Sequence, residues 1–286
     1  MLKNIAFIGY GFVGKACHKA FEHNTEAIII DPKYSTTTIS DLQISNPPLV
    51  FVSINAPTLD DRSVDASVIY NIFQQLADIE YAGLVVLKST LPPAIVEDLY
   101  IKFGKDSIMN KEGALRYIYS PEFLREKEWE KDALEPDQII MAGNYHDCIA
   151  LEIIYRNHSN INCIDVIFNK VDYRAAALAK YAINSYLASK VVFMNQLQQL
   201  YRDTYDEYNH LPSMDWAEFI NMIASDPRIG DSHLDVPGPD GNFGYGGTCF
   251  PKDVKAMIGF DKENRLTVLR EAELANTKIR LVGNSK

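Results

Sequence analysis

The chain has 286 residues, 47% of them hydrophobic and 23% charged, which suits packed cores and excludes a disordered or collagen-like chain. At roughly 150 residues per domain, two domains are expected. Lys and Arg number 28 against 38 Asp and Glu, a formal charge of −10, so no nucleic-acid partner is expected for want of a basic face.

Met1 leads almost directly into Ile5-Ala6-Phe7-Ile8, with no apolar leader, and no run reaches the about 18 apolar residues of a membrane span. Cys17, Cys148, Cys163 and Cys249 form no Cys-x-x-Cys pair and have no histidine at zinc-ligand spacing. A cytoplasmic protein with no membrane segment, metal site or disulfide framework is expected.

Short apolar runs at 5–9, 27–31, 49–54 and 84–88, with weaker ones at 117–119 and 138–142, alternate with helical stretches and with turn signals such as Asp31-Pro32 and Pro92-Pro93. This pattern predicts an α/β fold, with a Rossmann-type doubly wound parallel sheet over residues 1–170. Residues 171–286 are expected to form a mostly helical second domain carrying Lys180, Asn184 and Cys249. Its main element is one long helix over 172–210, where neither Gly nor Pro occurs and Ala176, Ala179, Ile183, Leu187, Val191, Met194, Leu197 and Tyr201 step by three or four. At 1.5 Å per residue it would reach about 57 Å, longer than a small domain is wide. The stripe is therefore expected to pack on a second copy of the chain as well as on its own domain, as a homodimer. Further helices are expected at 216–224 and 266–281, on either side of a glycine- and proline-rich loop at 236–247.

Gly9-Tyr10-Gly11-Phe12-Val13-Gly14 is a G-x-G-x-x-G directly after a strand and opening a helix. Missing side chains let a pyrophosphate approach the backbone, and the helix start supplies N–H groups and partial positive charge. Asp31 ends the second strand, where a carboxylate accepts from the adenosine ribose and repels a 2′-phosphate, so the first domain is read as binding NAD rather than NADP. Thr90, in the segment 89–93, ends another strand at the sheet edge where ligands bind. Glu122 and Glu126 lie four apart in Ser120-Pro121-Glu122-Phe123-Leu124-Arg125-Glu126, either to activate water or as solvated acids of a helix start.

Lys180 and Asn184 are four apart on one helix face, where an ammonium and a carboxamide suit a developing alkoxide; the spacing equally fits two polar residues facing solvent. Cys249 follows the loop Phe243-Gly244-Tyr245-Gly246-Gly247 and precedes Asp253 by four residues. With Lys252 and helix-start amides nearby it could act as a nucleophile, or it could be a buried structural thiol.

Taken in chain order, the glycine turn, Ser89-Thr90-Leu91-Pro92-Pro93, the segment 120–126, Ala179-Lys180-Tyr181 with Asn184, Asp226 to Gly230, and Phe243 to Asp253 resemble the UDP-glucose/GDP-mannose dehydrogenase family. The Phe243 to Gly247 form leans towards its UDP-glucose 6-dehydrogenase branch. The resemblance implies oxidation of a sugar primary alcohol, C6 of UDP-glucose in that branch, to a carboxylate in two hydride transfers to NAD. It implies Cys249 as nucleophile through a thiohemiacetal and thioester, and Lys180 and Asn184 as oxyanion stabilisers. Asp253 and Thr90 would hold water or tune the site, and Glu126 would assist thioester hydrolysis. Cofactor contacts would come from Gly9, Gly11, Phe12, Val13, Gly14, Asp31, Thr90 and Glu122. Substrate contacts would come from Glu122, Phe123, Leu124, Arg125, Lys180, Asn184, Phe243, Gly244, Tyr245 and Gly246.

Family enzymes carry a third, C-terminal domain, and this chain stops 33 residues after Asp253, so that domain is expected to be absent or supplied by a separate chain. The family's glycine after the double proline is Ala94, the glutamate after the helix asparagine is Gln196, and the stretch from 231 to 242 looks extended. Two other readings remain open. A two-electron β-hydroxyacid dehydrogenase shares the length and layout but leaves Cys249, the 120–126 segment and the glycine loop unexplained. A non-catalytic, degenerate NAD-binding protein leaves the retention of Lys180, Asn184, Cys249 and Asp253 unexplained.

Overall fold

The computed structural model describes residues 3–105, 113–125, 127–207 and 214–283. The chain divides into two compact units, Met1–Pro57 with Val64–Lys180, and Thr58–Ser63 with Tyr181–Lys286. Among the described residues no helix is long and apolar enough to cross a membrane.

The first unit holds a seven-stranded sheet of β1 (Asn4–Ile8), β2 (Glu26–Ile30), β3 (Leu49–Val52), β4 (Leu84–Leu87), β5 (Arg116–Tyr119), β6 (Gln138–Gly143) and β7 (Ile167–Val171), in the spatial order β2-β1-β3-β4-β5-β6-β7. β3 and β4 are continuous apolar runs because both of their faces are covered, and every residue of the two is buried. On one face lie α1 (Phe12–Lys19) and, later in the chain, Tyr145–His158, packing Cys17, Phe21, Leu151 and Tyr155 against Phe7 and Phe51. On the other, α2 (Leu42–Ser45), α3 (Ser67–Asp78) and α4 (Pro93–Phe103) contribute Leu42, Ile69, Phe73, Leu76, Val96 and Leu99. Ile69, Ile72, Phe73 and Leu76 are spaced to put one apolar stripe of α3 on the sheet.

The strands from β1 to β5 run parallel as expected, but β6 is antiparallel to β5, joined through Ile118 to Gly143 and Tyr119 to Ala142. The chain leaving β5 at its carboxyl end therefore enters β6 from that same edge, and the segment 120–137, with α5 (Trp129–Leu134), does not cross back. β7, absent from the expected strands, pairs parallel to β6 after α6 (Tyr145–His158).

The turn after β1 is set by two glycines. Gly9 has φ +82°, and a Cβ there would lie 2.6 Å from Ser53 O; a Cβ on Gly14 would lie 2.1 Å from Gly9 O. Only bare backbone lets α1 start this close to the ends of β1 and β3.

In the second unit the long helix α7 (Tyr173–Glu207) continues from Tyr181, and the expected residues 208–210 lie outside the described residues. α8 (Trp216–Ala224) opens on a capping box in which Asp215 and Glu218 exchange hydrogen bonds with each other's backbone N–H. α9 (Phe250–Phe260) has Pro251 in its first turn, and α10 (Thr267–Gly283) follows. The stripe read from the sequence is partly covered within the chain: Ala176 and Met194 are buried, Met194 packing with Ile220, Leu234 and Val236, while Ala179, Ile183, Leu187, Val191, Leu197 and Tyr201 are half-buried. The exposed apolar face of α7 is a different one, with Tyr186 68%, Phe193 58% and Leu200 61% exposed. The short segment Thr58–Ser63 is fastened to this unit by Thr58 Oγ1 donating to Lys252 O at 3.1 Å and by the Arg62–Glu273 ion pair at 2.8 Å.

Gly14→Ala is expected to destabilise the protein by about 2 kcal/mol or more, because the added methyl meets backbone rather than a movable side chain. Urea denaturation measures this, and a change within about 0.5 kcal/mol would show that α1 can shift without cost.

Candidate active site

Asp31 follows β2 and closes the turn from the side. Its Oδ2 accepts from Tyr10 N at 2.7 Å and its Oδ1 from Lys33 N at 2.9 Å, so the carboxylate bridges the glycine turn and the loop after β2. Gly11 precedes the first residue of α1 with no side-chain cap, and a Cβ built on it meets nothing within 4 Å. Phe12 and Val13 open the helix, Phe12 packing edge-on to Trp129 at 6.2 Å. An open helix start beside a strand-end carboxylate, at the end of β1 with β2 on one side of it and β3 on the other, fits a dinucleotide: the N–H groups suit the phosphates and Asp31 the ribose.

Further along the carboxyl edge, Ser89 Oγ accepts from Ile54 N at 2.9 Å, and Thr90 beside it is half-buried. Lys88, at the end of β4, is 4% exposed. It forms an ion pair with Glu122 and donates to Ser120 Oγ at 3.1 Å. Phe123 and Leu124 are half-buried; the Lys180 ammonium lies 4.9 Å from the Phe123 ring centroid. Arg125 is exposed and turned onto Asp132, with Nη2 at 2.6 Å and Nε at 3.1 Å. Glu126 lies outside the described residues. Lys88 escaped the sequence reading; the only signal was a lysine closing the wholly apolar run Leu84-Val85-Val86-Leu87.

Lys180 and Asn184, one turn apart on α7, are both buried, which removes the reading of a solvated helix face. Within the second unit, Asn184 Nδ2 donates to Asp253 Oδ2 at 2.5 Å, while Lys252 Nζ donates to Asp253 Oδ1 at 2.5 Å. Asp253 itself is 1% exposed. Lys252 therefore serves Asp253, where the sequence suggested it beside the thiol. Cys249 is exposed at the N-terminus of α9, its sulfur 3.7 Å from Thr248 Oγ1 and its carbonyl accepting from Asp253 N at 2.9 Å. Burial pushes the other thiols up, that of Cys148 to about 11 and those of Cys17 and Cys163 likewise above the ordinary range, so all three are protonated at neutral pH.

The loop before Cys249 is held by side chains from two helices. Asn195 Oδ1 of α7 accepts from Gly244 N at 2.9 Å, and Asn276 of α10 accepts from Tyr245 N at 2.7 Å and donates to Tyr245 O at 3.0 Å. Arg280 Nε donates to the same carbonyl at 3.0 Å, and its guanidinium lies where a Cβ on Gly246 would be, 1.5 Å from Nη2. Phe243 packs beside the Met194 cluster, and the Tyr245 phenol, buried, is pushed up to about 12.

Two sequence profiles match the chain: UDP-glucose/GDP-mannose dehydrogenase family, NAD binding domain, over residues 19–159, and the same family's central domain over residues 174–278. The chain belongs to the UDP-glucose/GDP-mannose dehydrogenase family. It is 30% identical over 276 residues to the UDP-glucose 6-dehydrogenase of Pseudomonas aeruginosa, covering 90% of this chain and 55% of that one. It is 28% identical over 312 residues to the enzyme of the same name from Rickettsia bellii, covering 97% of this chain and 67% of that one. The chain thus spans about half to two thirds of the length of the curated relatives it matches. A UDP-glucose dehydrogenase structure from Pyrobaculum islandicum superposes with a TM-score of 0.76 at 22% identity, covering 97% of this chain and 68% of that one, and shows the shared fold. Within this family the first unit is the NAD-binding part, and NAD is the cofactor its glycine turn and Asp31 fit.

With Asp31 presented at the ribose position, NAD+ should bind at least about tenfold more tightly than NADP+, as calorimetric titration of the two would show. Equal affinities would assign the ribose pocket to Lys33 instead.

Proposed function

We propose that the protein is an NAD-dependent nucleotide-sugar dehydrogenase that oxidises a sugar primary alcohol to the carboxylate, C6 of UDP-glucose being the first candidate, with Cys249 as nucleophile. The observation that carries this reading is the setting of Cys249: the one exposed thiol of the four starts the helix whose first turn holds Asp253, and Asp253 orients Asn184 from α7. An enzyme that stops at the aldehyde or ketone needs oriented donors but no thiol. This separates the reading from a β-hydroxyacid dehydrogenase, and the buried, fully partnered Asp253 speaks against a degenerate site.

NAD, when bound, supplies the hydride acceptor for both oxidations. Gly9, Gly11, Gly14, Phe12, Val13 and Asp31 hold it, with Thr90 and Glu122 further along the edge. Lys180 and Asn184 stabilise the alkoxide formed as the alcohol proton passes to water, and loss of a hydride from the alkoxide carbon to the bound cofactor would leave the aldehyde. The Cys249 sulfur, having given up its proton, bonds to the aldehyde carbon, because an aldehyde donates hydride poorly until a nucleophile adds to it. Oxidation of that thiohemiacetal leaves a thioester on Cys249. Water adds to its carbonyl, the C–S bond breaks, the sulfur recovers a proton and the carboxylate departs. Asp253 and Thr90 position this water, and Glu126 accepts its proton. Phe123, Leu124, Arg125 and Phe243 to Gly246 are assigned to the substrate. A thiol that must remain reduced for each turnover suits the cytoplasm.

Two NADH should form per sugar oxidised, counted from the reduced-cofactor absorbance with the product identified by mass. Cys249→Ser should bind NAD+ unchanged and make no carboxylate; carboxylate formation at the wild-type rate would remove Cys249 from the mechanism.

The exposed face of α7 supports a homodimer. Tyr186, Phe193 and Leu200 recur every seven residues and line up on one side, so pairing with the same face of a second copy covers all three twice. Sedimentation at micromolar concentration should give twice the 32.3 kDa chain mass, falling to the monomer in Phe193→Asp. A wild-type monomer would sink the dimer.

A further inference from the structure

Lys88 is a charged residue in a place that needs a reason. It ends a strand whose four residues are all buried, and its own side chain is 4% exposed. Its backbone N–H continues the ladder to Val52 O at 2.8 Å, so the side chain starts from a fixed point at the carboxyl edge of the sheet. The neighbouring strand end is fixed in the same way, Ser120 N donating to Leu87 O at 2.8 Å. From there Lys88 reaches across to Ser120 Oγ at 3.1 Å and to the Glu122 carboxylate. Glu122 keeps 22% of its side chain exposed. The pair is thus asymmetric: the cation is sealed in the sheet edge and the carboxylate is the end that opens outward.

Burying an ammonium is costly, and two neutral residues of similar size would fill the space as well. A buried lysine is retained to advantage where its partner's position matters. We propose that Lys88 is a positioning residue: it holds the Glu122 carboxylate at the carboxyl edge of the sheet as a fixed acceptor for a hydroxyl of the bound dinucleotide. This rests on the NAD-dependent reading above. Ser120 accepts from the ammonium and helps set its direction, and the antiparallel pairing of β6 with β5 starts both the exit from β5 and the entry to β6 at that edge, where Glu122 lies.

The experiment compares NAD+ affinity by calorimetry with thermal melting in the full chain. The variants are Lys88→Met, Lys88→Arg, Glu122→Gln and the pair Lys88→Met with Glu122→Gln. Lys88→Met should weaken NAD+ binding by about tenfold or more and lower the melting temperature, since the partly buried Glu122 carboxylate loses its partner. Lys88→Arg should recover most of the affinity. The double variant carries neither charge of the pair, so its melting temperature should return towards wild type while its NAD+ affinity stays low, matching Glu122→Gln. Recovery of affinity together with melting temperature in the double variant would show that the pair only balances charge, and would overturn the proposal. So would wild-type affinity in Lys88→Met. If Lys88→Met does not fold, the double variant alone decides. Failure of the wild-type chain to bind NAD+ would instead overturn the functional reading itself.

Discussion

A carboxylate withdrawn from water must be neutralised where it stands, and Asp253 meets that requirement with two side chains and its own helix. Its oxygens take one bond each from Asn184 and Lys252, and its backbone N–H closes the first turn of α9 onto Cys249 O. Loss of Lys252 from such a buried set would leave an uncompensated charge, at a cost of about 3–5 kcal/mol, whereas loss of the Asn184 amide would remove one hydrogen bond. The same group therefore does three things at once: it sets the amide of Asn184, ties α7 to α9 across 69 residues of sequence, and keeps Cys249 at the start of its helix. An exposed thiol has little packing of its own to hold it, so its place depends on the buried acid four residues later.

The glycine loop ahead of Cys249 depends on the same kind of constraint with neutral groups. Tyr245 sits in no strand, and its buried N–H would be orphaned without the Asn276 side chain, which answers both that N–H and the C=O as a neighbouring strand would. Arg280 adds a second donor to that carbonyl and fits only because Gly246 has no side chain. Rigidity here comes from side chains of α7 and α10, which explains how a stretch with so many glycines can keep one shape.

Much of this was legible in the sequence, for physical reasons. The strands β1, β3 and β4 are apolar runs because both faces are covered, and the glycine turn is dictated by backbone contact that no other residue tolerates. β7 was not legible: it is a partly exposed edge strand whose Asn169 and Lys170 interrupt the apolar signal. Strand direction has no local signature either, so the antiparallel β6 could not be foreseen. Spacing put Lys180 and Asn184 on one face without saying which face is buried. Lys88 was passed over because a lysine at a strand end normally faces water, and Asn276 because its position in α10 looks like any other polar residue of an amphipathic helix.

The segment Thr58–Ser63 also had no distinguishing composition, yet it belongs to the second unit, held by Thr58 to the Lys252 carbonyl and by Arg62 to Glu273. The second unit is therefore not a contiguous cassette of the gene. A recombination event with one crossover within α7 would transplant Glu273 and α9 while leaving the old Arg62 behind, and would have to find a donor whose α10 presents an acid at the same place. A chimera that keeps both of these contacts needs junctions flanking residues 58–63 as well as one near 180.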